Sequence, residues 1–227
     1  MSEQLIHLFQ KDCIINKHPC KYDNASIIQK YYRKYYIKKY FSKLEDNMTL
    51  DLLNKLITRY NDNLKFNIEI NRKLSKKKIR HDNFPSHISE NIVKFAIFKK
   101  YKIMPSWDTN KGDLIFNKKF IKNLQIEVKG FMSDGPSSFG PSENWDWLYF
   151  IDCKDSINFN FKIYEIKLSN KNNIFRSIKI NKNESFGEIA DKNQRGKLRG
   201  SFYSIFKKQL PSQYCNLIFD GNISHLI

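Results

Sequence analysis

Two short apolar runs in the middle of the chain carry charged residues at positions that a β-strand would place on one face. The first run is Asp113-Leu-Ile-Phe116, directly after a glycine, and the second is Leu124-Gln-Ile-Glu-Val-Lys129. Side chains at i and i+2 of a strand point to the same face, so Glu127 and Lys129 lie side by side. If the two runs pair as a hairpin, Asp113 lies opposite them. The pattern therefore predicts a sheet that brings two carboxylates and one ammonium group together.

These side chains suit hydrolysis of a phosphodiester with a divalent metal ion. Asp113, Glu127 and the backbone carbonyl of Val128 are hard oxygen ligands, which favours Mg²⁺, with Mn²⁺ as a substitute. Lys129 would orient or help to deprotonate a metal-bound water and stabilise the charge that develops at phosphorus. A salt-bridged strand face explains Glu127 and Lys129 equally well, because alternating charges on a solvated strand often produce Glu-x-Lys.

A helix is predicted before these strands, and further strands are predicted after them. The helix is capped by Ser86 or Ser89 and carries Glu90 in its first turn, where a carboxylate complements the helix dipole. The predicted buried side of this helix comprises Ile92, Val93, Phe95, Ala96 and Phe98. Two more strand-like runs span residues 147–152 and 159–168. A helix, then strands, then more helix predicts an α+β or mixed α/β domain.

The N-terminal third of the chain has a different, mainly helical pattern. Apolar residues recur at helical spacing over residues 27–41, and lysine and arginine fill the rest of the helical wheel. Asp46 or Asn47 would cap a second helix over residues 48–60. The next stretch, residues 64–70, is ambiguous because its apolar residues alternate as in a strand.

Cysteine and histidine usage gives little sign of a metal or disulfide framework. His7, Cys13, His18 and Cys20 fit none of the paired Cys-x₂₋₄-Cys patterns of structural zinc, so ordinary side chains are favoured over a metal cluster. Four cysteines in a chain of 227 residues are expected to be reduced thiols. Because the sequence has no run of about 20 apolar residues, we expect a soluble, cytoplasmic protein.

The charge of the chain points to a polyanionic partner. Forty Lys and Arg residues against 23 Asp and Glu give a formal net charge of +17. A lysine-rich coat is also what an AT-rich genome encodes, so part of this charge is explained equally well as a solvated surface. The aromatic content of 15% excludes a disordered basic tail.

The order of these motifs resembles the PD-(D/E)XK nuclease superfamily, and in particular the type II restriction endonucleases. The resemblance covers about residues 84–206 and depends on the helix with Glu90, then Lys-Gly-Asp-Leu at 111–114 and Ile-Glu-Val-Lys-Gly at 126–130. Further similar segments are Ser133-Asp-Gly-Pro-Ser-Ser-Phe-Gly-Pro-Ser142, Trp145-Asp-Trp-Leu-Tyr-Phe-Ile-Asp152, Ser185-Phe-Gly-Glu188 and Asn193-Gln-Arg-Gly-Lys-Leu-Arg199. Gly112 stands where the name motif has proline.

The resemblance implies a fold and a site. The fold is a restriction-endonuclease-like core of a mixed central sheet flanked by helices, over residues 81–227, with a helical region for dimer or DNA contact over residues 1–80. Asp113 and Glu127 would be the metal ligands, and Lys129 the catalytic lysine. Glu90 would be an accessory acid that reaches the metal through water.

Two polar segments are predicted to contact DNA. The loop over residues 133–144 offers hydroxyls and backbone N–H groups to phosphates or bases, although a long surface turn would have the same composition. The second segment contains Arg195 and Arg199, and arginine reads guanine in bidentate fashion, although an ordinary basic helix cap is equally compatible. The predicted DNA-binding residues are Ser133, Ser137, Ser138, Asn144, Gln194, Arg195, Lys197 and Arg199.

The predicted function is that of a type II restriction endonuclease: Mg²⁺-dependent, sequence-specific hydrolysis of double-stranded DNA by a homodimer. The resemblance also implies a cognate DNA methyltransferase, without a stable complex. Two alternatives stay open at this point. One is a repair or nicking nuclease of the same superfamily, and the other is a DNA-binding protein without catalytic activity.

Overall fold

The computed structural model describes residues 48–74, 83–107, 113–118, 121–133, 138–139, 143–194, 196–197 and 202–226. These residues belong to one compact unit, Met48–Ile227. The predicted helix over residues 27–41 lies outside the described residues. So do His7, Cys13, His18 and Cys20, and the proposed roles of residues 1–80 in dimer or DNA contact stay predictions.

Among the described residues, two helices precede a run of strands, and two short helices with two further strands follow, an α+β arrangement as predicted. The helices are α1 (Leu50–Lys73), α2 (Ser86–Tyr101), α3 (Asn173–Arg176) and α4 (Phe186–Asp191), with a π-helical turn at Tyr203–Lys207 and 3₁₀ turns at Ser156–Asn158, Ser212–Tyr214 and Ile223–Leu226. The strands are β1 (Ser106–Trp107), β2 (Leu114–Lys118), β3 (Ile121–Phe131), β4 (Ser138–Phe139), β5 (Trp147–Asp152), β6 (Asn160–Ile166), β7 (Gly196–Lys197) and β8 (Cys215–Asn222).

The central sheet is mixed and has six strands in the order β1-β2-β3-β5-β6-β8. Strands β3 and β5 pair in parallel, with Ile126 opposite Trp147 and Phe131 opposite Asp152. The other neighbouring pairs are antiparallel. The short strands β4 and β7 form a separate two-stranded antiparallel sheet. This architecture confirms the predicted mixed central sheet flanked by helices.

Each face of the central sheet covers its own apolar core, because successive side chains of a strand point to opposite faces. On one face, Ile126, Val128 and Tyr149 belong to a cluster that also includes residues of α1 and α2. On the other face, Phe131 and Phe150 join a cluster with residues of α3, α4 and the π-helical turn. Glu127 and Lys129, which alternate with Ile126 and Val128, therefore lie on the second face.

Helix α1 corrects the predicted boundaries of the N-terminal elements. The N-cap is Thr49, whose side chain accepts a hydrogen bond from the Leu52 N–H, and not Asp46 or Asn47. The helix ends at Lys73, so residues 64–70 are helical and not a strand. Its buried residues, Leu53, Ile57, Asn61 and Leu64, recur at helical spacing. Residues 64–70 continue the helix although their apolar residues alternate, because the helical spacing keeps one face of α1 buried against the core.

Helix α2 departs from its prediction at both ends. Its N-cap is Pro85, so neither Ser86 nor Ser89 caps it, and Glu90 lies beyond its first turn. Near the C-terminus, Phe98 is 42% exposed and not buried as predicted, because Ile97 takes the inward position. At the N-terminal end the helix packs closely on β3: a Cβ at Gly130 would lie 3.1 Å from the Ser89 Cβ. This glycine lets α2 approach the strand that carries Glu127 and Lys129.

No helix in the described parts of the chain is long and apolar enough to span a bilayer. A cytoplasmic location stays a prediction.

The packing of α1 on the core can be tested by two substitutions on this helix. Leu53 is fully buried in the core cluster, whereas Phe66 is 60% exposed. We expect Leu53→Ala to lower the free energy of unfolding by about 2–5 kcal/mol, through lost burial and a residual cavity. Phe66→Ala is expected to change it by less than about 0.5 kcal/mol. Urea unfolding measures both values, and equal effects of the two substitutions would contradict docking of α1 on the sheet.

Candidate active site

The antiparallel pairing of β2 with β3 places Asp113 beside Glu127. Leu114 lies opposite Ile126, and the Asp113 N–H donates a hydrogen bond to the Ile126 carbonyl at 3.1 Å. The side chain of Asp113 then turns toward β3, where its Oδ2 accepts a hydrogen bond from the Val128 N–H at 2.7 Å. The predicted hairpin is therefore present, with Asp113 just before the first residue of β2.

The backbone of Val128 is directed to the same place. The N–H and C=O of one strand residue point to the same edge of the strand, and the Val128 N–H points toward Asp113. The Val128 carbonyl therefore points to the edge of β3 where Asp113 precedes β2. Two carboxylates and this carbonyl form the candidate donor set for a divalent cation.

The described residues hold no group of three or more histidine, cysteine, aspartate or glutamate side chains with metal-binding geometry. A cation at this site would thus use the Asp113 and Glu127 carboxylates together with backbone and water oxygens, a ligand set typical of Mg²⁺.

Lys129 lies between two carboxylates. Its ammonium group forms an ion pair and a hydrogen bond with Glu127 Oε1. Its Nζ also lies 3.7 Å from Glu143 Oε2 and 5.3 Å from the ring centroid of Phe139. Glu127 is 6% exposed, and Lys129 and Glu143 are half-buried. The site therefore concentrates three carboxylates and one ammonium group in a partly buried place.

Burial and the neighbouring carboxylates act together on the pKa of Glu127 but against each other on the pKa of Lys129. Burial, followed by the neighbouring charge of Asp113, raises the pKa of Glu127 to about 7, although Lys129 opposes the shift. Burial alone would lower the pKa of Lys129, but the carboxylates of Glu127, Glu143 and Asp113 outweigh it and raise that pKa. Lys129 is therefore protonated at neutral pH, and at Glu127 its charge does not outweigh the effects of burial and of Asp113.

A second Glu-x-Lys pair in the chain, Glu165 and Lys167, shows the contrast. Glu165 is fully buried on the opposite face of the sheet and accepts hydrogen bonds from Lys100, Tyr101 and Tyr149 at 2.6–2.8 Å. Burial would raise the pKa of Glu165, but these donors outweigh it and lower the pKa. Glu165 is thus a satisfied structural carboxylate, whereas Glu127 is poorly compensated.

The two segments predicted to contact DNA meet next to this site. Strand β4 pairs with β7, with Ser138 opposite Lys197 and Phe139 opposite Gly196. Phe139 is buried in the second core and also lies under the ammonium group of Lys129. The short sheet therefore connects both predicted segments to the candidate catalytic lysine.

The structure places some of the predicted site residues and not others. Asp113, Glu127, Lys129 and the carbonyl of Val128 come together. Glu90 lies on α2, next to the residue that packs against Gly130 of β3. Asn144 donates a hydrogen bond to Gln125 Oε1 at 3.2 Å. Ser133 and Gln194 are exposed. Ser137, Arg195 and Arg199, and the side chains of Ser138 and Lys197, lie outside the described part of the chain. The roles of all these residues stay predictions.

Two residues of the site escaped the sequence analysis. Glu143 and Phe139 lie in a Ser-, Gly- and Pro-rich loop without periodicity, so no pattern places them near Lys129. The sequence does not show that β3 and β5 pair in parallel. This pairing places the start of β5, and the residues just before it, beside β3. One signal was available. It is an acidic residue that lies shortly before a strand predicted to pair with the strand that carries Glu-x-Lys.

Burial and the neighbouring carboxylates raise the pKa of Glu127 into a range that is easily measured. In the metal-free protein, the side-chain carboxyl of Glu127 is expected to titrate with an apparent pKa near 7. Asp113→Asn removes one negative neighbour and is expected to lower that pKa, because ionisation of Glu127 then meets less repulsion. Carbon-detected NMR of labelled glutamate carboxyls across pH 4–9 measures it, with the Glu127→Gln spectrum as the assignment control. An unchanged pKa in Asp113→Asn would show that the two carboxylates do not interact.

Comparison with known proteins gives one family. The family model for the Bsp6I restriction endonuclease matches residues 52–208, which is more than half of the chain and includes the whole candidate site. Searches of curated proteins and of solved structures found no match. The predicted resemblance to restriction endonucleases is thereby confirmed, and the chain belongs to the Bsp6I restriction endonuclease family.

Proposed function

We propose that this protein is a Mg²⁺-dependent type II restriction endonuclease that hydrolyses phosphodiester bonds at a specific sequence in double-stranded DNA. The observation that carries the proposal is the hydrogen bond from the Val128 N–H to Asp113, which sets this carboxylate beside Glu127 and Lys129. Membership of a restriction endonuclease family supports the substrate class. The metal dependence and the role of each residue are inferred from the site.

The donor set fits a divalent cation. Glu127 is buried close to Asp113, and the single ammonium of Lys129 does not compensate both carboxylates, as the raised pKa of Glu127 indicates. A cation held by Asp113, Glu127 and the Val128 carbonyl would relieve that repulsion. When bound, Mg²⁺ neutralises phosphate oxygens and lowers the pKa of a water ligand.

The residues of the chain supply orientation and charge. Asp113 and Glu127 would hold the cation at the edge of β3, where the Asp113 backbone is fixed by its hydrogen bond to Ile126. The Lys129 ammonium donates hydrogen bonds to the attacking water or to a phosphate oxygen and stabilises the negative charge of the transition state. Glu90 is proposed as an accessory acid that acts through water.

Binding of the DNA is proposed to combine a non-specific and a specific contribution. The net charge of +17 favours the phosphate backbone without regard to sequence. The loop over residues 133–144 and the segment over residues 194–199, joined through β4 and β7, would supply contacts to bases. Because a two-fold symmetric site needs one active site for each strand, we propose a homodimer. A cognate DNA methyltransferase would protect the host DNA.

The cleavage reaction tests the proposal with one metal and a few variants. Plasmid and phage DNA incubated with the wild-type protein and Mg²⁺ are expected to give discrete fragments, detected on agarose gels. Asp113→Asn and Lys129→Ala are expected to lower the cleavage rate by at least about 100-fold, because they remove a metal ligand and a group that stabilises the transition state. Mn²⁺ is expected to support cleavage in place of Mg²⁺.

Matched controls come from an exposed ion pair away from the site. Lys162 and Asp220 form a half-exposed pair between β6 and β8. Lys162→Ala removes one positive charge, as Lys129→Ala does, and Asp220→Asn removes one negative charge, as Asp113→Asn does, but neither residue lies on β3. Both are expected to cleave at wild-type rates. A ladder without preferred sites would favour a non-restriction nuclease. Full binding without cleavage of any unmodified DNA under either metal would favour a DNA-binding protein without catalytic activity.

Arg199 tests the origin of sequence specificity. Arg199→Ala is expected to weaken binding to the cognate site by about 1–3 kcal/mol, because a bidentate contact to one base would be lost, while binding to random DNA changes little. Lys34→Ala, which removes one lysine from the basic helical segment predicted over residues 27–41, is the matched control, expected to weaken both equally and to reduce the salt dependence of binding. Fluorescence anisotropy with cognate and scrambled duplexes measures both. Equal effects of Arg199→Ala on the two duplexes would exclude Arg199 from base recognition.

A further inference from the structure

Glu143 is the carboxylate of the site that the proposed metal ligation does not use. It lies in the segment that leads into β5, and its Oε2 is 3.7 Å from the Lys129 Nζ. This oxygen is buried and accepts no hydrogen bond from any residue that the structure describes. A buried carboxylate oxygen without a hydrogen bond is costly unless a cation compensates it, and Lys129 is the cation at hand.

The backbone around Glu143 is fixed by several hydrogen bonds. The Asn170 amide donates to the Glu143 carbonyl. Three residues further on, the Asp146 N–H donates to the Gln125 carbonyl at 2.8 Å, and the Gln125 N–H donates to Asp146 Oδ2 at 2.9 Å. Gln125 lies on β3, two residues before Glu127. The segment that carries Glu143 is thus attached to the catalytic strand itself.

Metal binding by Glu127 would change its ion pair with Lys129. In the structure, Glu127 Oε1 accepts a hydrogen bond from Lys129, and the same carboxylate is the proposed metal ligand. A carboxylate that binds a divalent cation gives up electron density to it, which weakens its hold on the ammonium group. Glu143 is then the second carboxylate beside Lys129, with its Oε2 at 3.7 Å from the Nζ, and it can hold the half-buried ammonium group in place.

We propose that Glu143 is a positioning residue for Lys129, which takes over the ammonium group when Glu127 binds the metal. This inference rests on the proposed function, because it assigns a role within that site. Glu143 does not bind the metal and does not touch the reacting phosphate. It keeps the charged amine of Lys129 at the site, while the ring of Phe139 limits the movement of the amine from another side.

The experiment separates the rate of the chemical step from binding. Single-turnover cleavage of a cognate duplex is measured for wild type and Glu143→Gln, together with duplex affinity in EDTA, the midpoint of the Mg²⁺ dependence and the melting temperature. Glu143→Gln is expected to lower the single-turnover rate by about 10- to 100-fold, as small misplacements of a catalytic group do. Duplex affinity, the Mg²⁺ midpoint and the melting temperature are expected to stay within twofold or a few degrees of wild type.

Glu143→Asp serves as the second variant. It keeps the charge on a side chain one methylene shorter, so it is expected to recover part of the rate lost in Glu143→Gln. It also keeps the test usable if Glu143→Gln does not fold. A Glu143→Asp rate as low as that of Glu143→Gln would contradict a role for the charge.

The remaining outcomes are distinct. A Glu143→Gln rate equal to wild type overturns the inference and leaves the proposed function intact. A tenfold or larger shift of the Mg²⁺ midpoint would make Glu143 a metal ligand and overturn it as well. A rate loss that follows a loss of duplex affinity or of melting temperature would assign Glu143 to DNA binding or to folding. Absence of cleavage by the wild type, in contrast, rejects the proposed function itself.

Discussion

The hydrogen bond from the Val128 N–H to Asp113 determines the arrangement of the whole site. It brings one carboxylate against β3 at the point where the strand presents Glu127 and Lys129, and it occurs because β2 begins opposite Ile126. Around it, three carboxylates share one ammonium group in a protein whose net charge is +17. A cluster of negative charge in such a basic chain has a physical reason if a cation binds there and the surrounding surface holds a polyanion.

The fold supports this arrangement by giving β3 two different faces. The side chains of Ile126 and Val128 face α1 and α2, and Gly130 lets α2 pack closely. One face of β3 is therefore packed against both helices. The opposite face carries Glu127 and Lys129, next to the aromatic core of the C-terminal half. The parallel pairing with β5 brings the segment with Glu143 back to the same place. Strand β3, the segment with Glu143 and the β4–β7 sheet are thus connected through β5 and through the contact of Phe139 with Lys129.

The local sequence pattern predicted individual strands and the hairpin between neighbouring runs. It did not predict contacts that depend on the pairing of strands separated by an irregular loop. The strand over residues 147–152 followed from a continuous apolar run, and the hairpin that sets Asp113 beside Glu127 was the arrangement expected if the two runs pair. Residues 64–70 were ambiguous because alternation and helical spacing compete there, and burial of Leu64 decides for the helix. Glu143 could not be found, because its contact with Lys129 requires the parallel pairing of strands separated by an irregular loop.

The central claim is that Asp113 and Glu127 hold a divalent cation beside Lys129. Anomalous diffraction from crystals soaked with Mn²⁺ tests it most directly, since Mn²⁺ scatters anomalously and replaces Mg²⁺ in oxygen sites. One strong peak is expected at direct coordination distance from oxygens of Asp113, Glu127 and the Val128 carbonyl. In that state the Lys129 ammonium should contact Glu143. A peak that Asp113 and Glu127 do not coordinate, or no peak in crystals of a protein that cleaves DNA with Mn²⁺, would contradict the account.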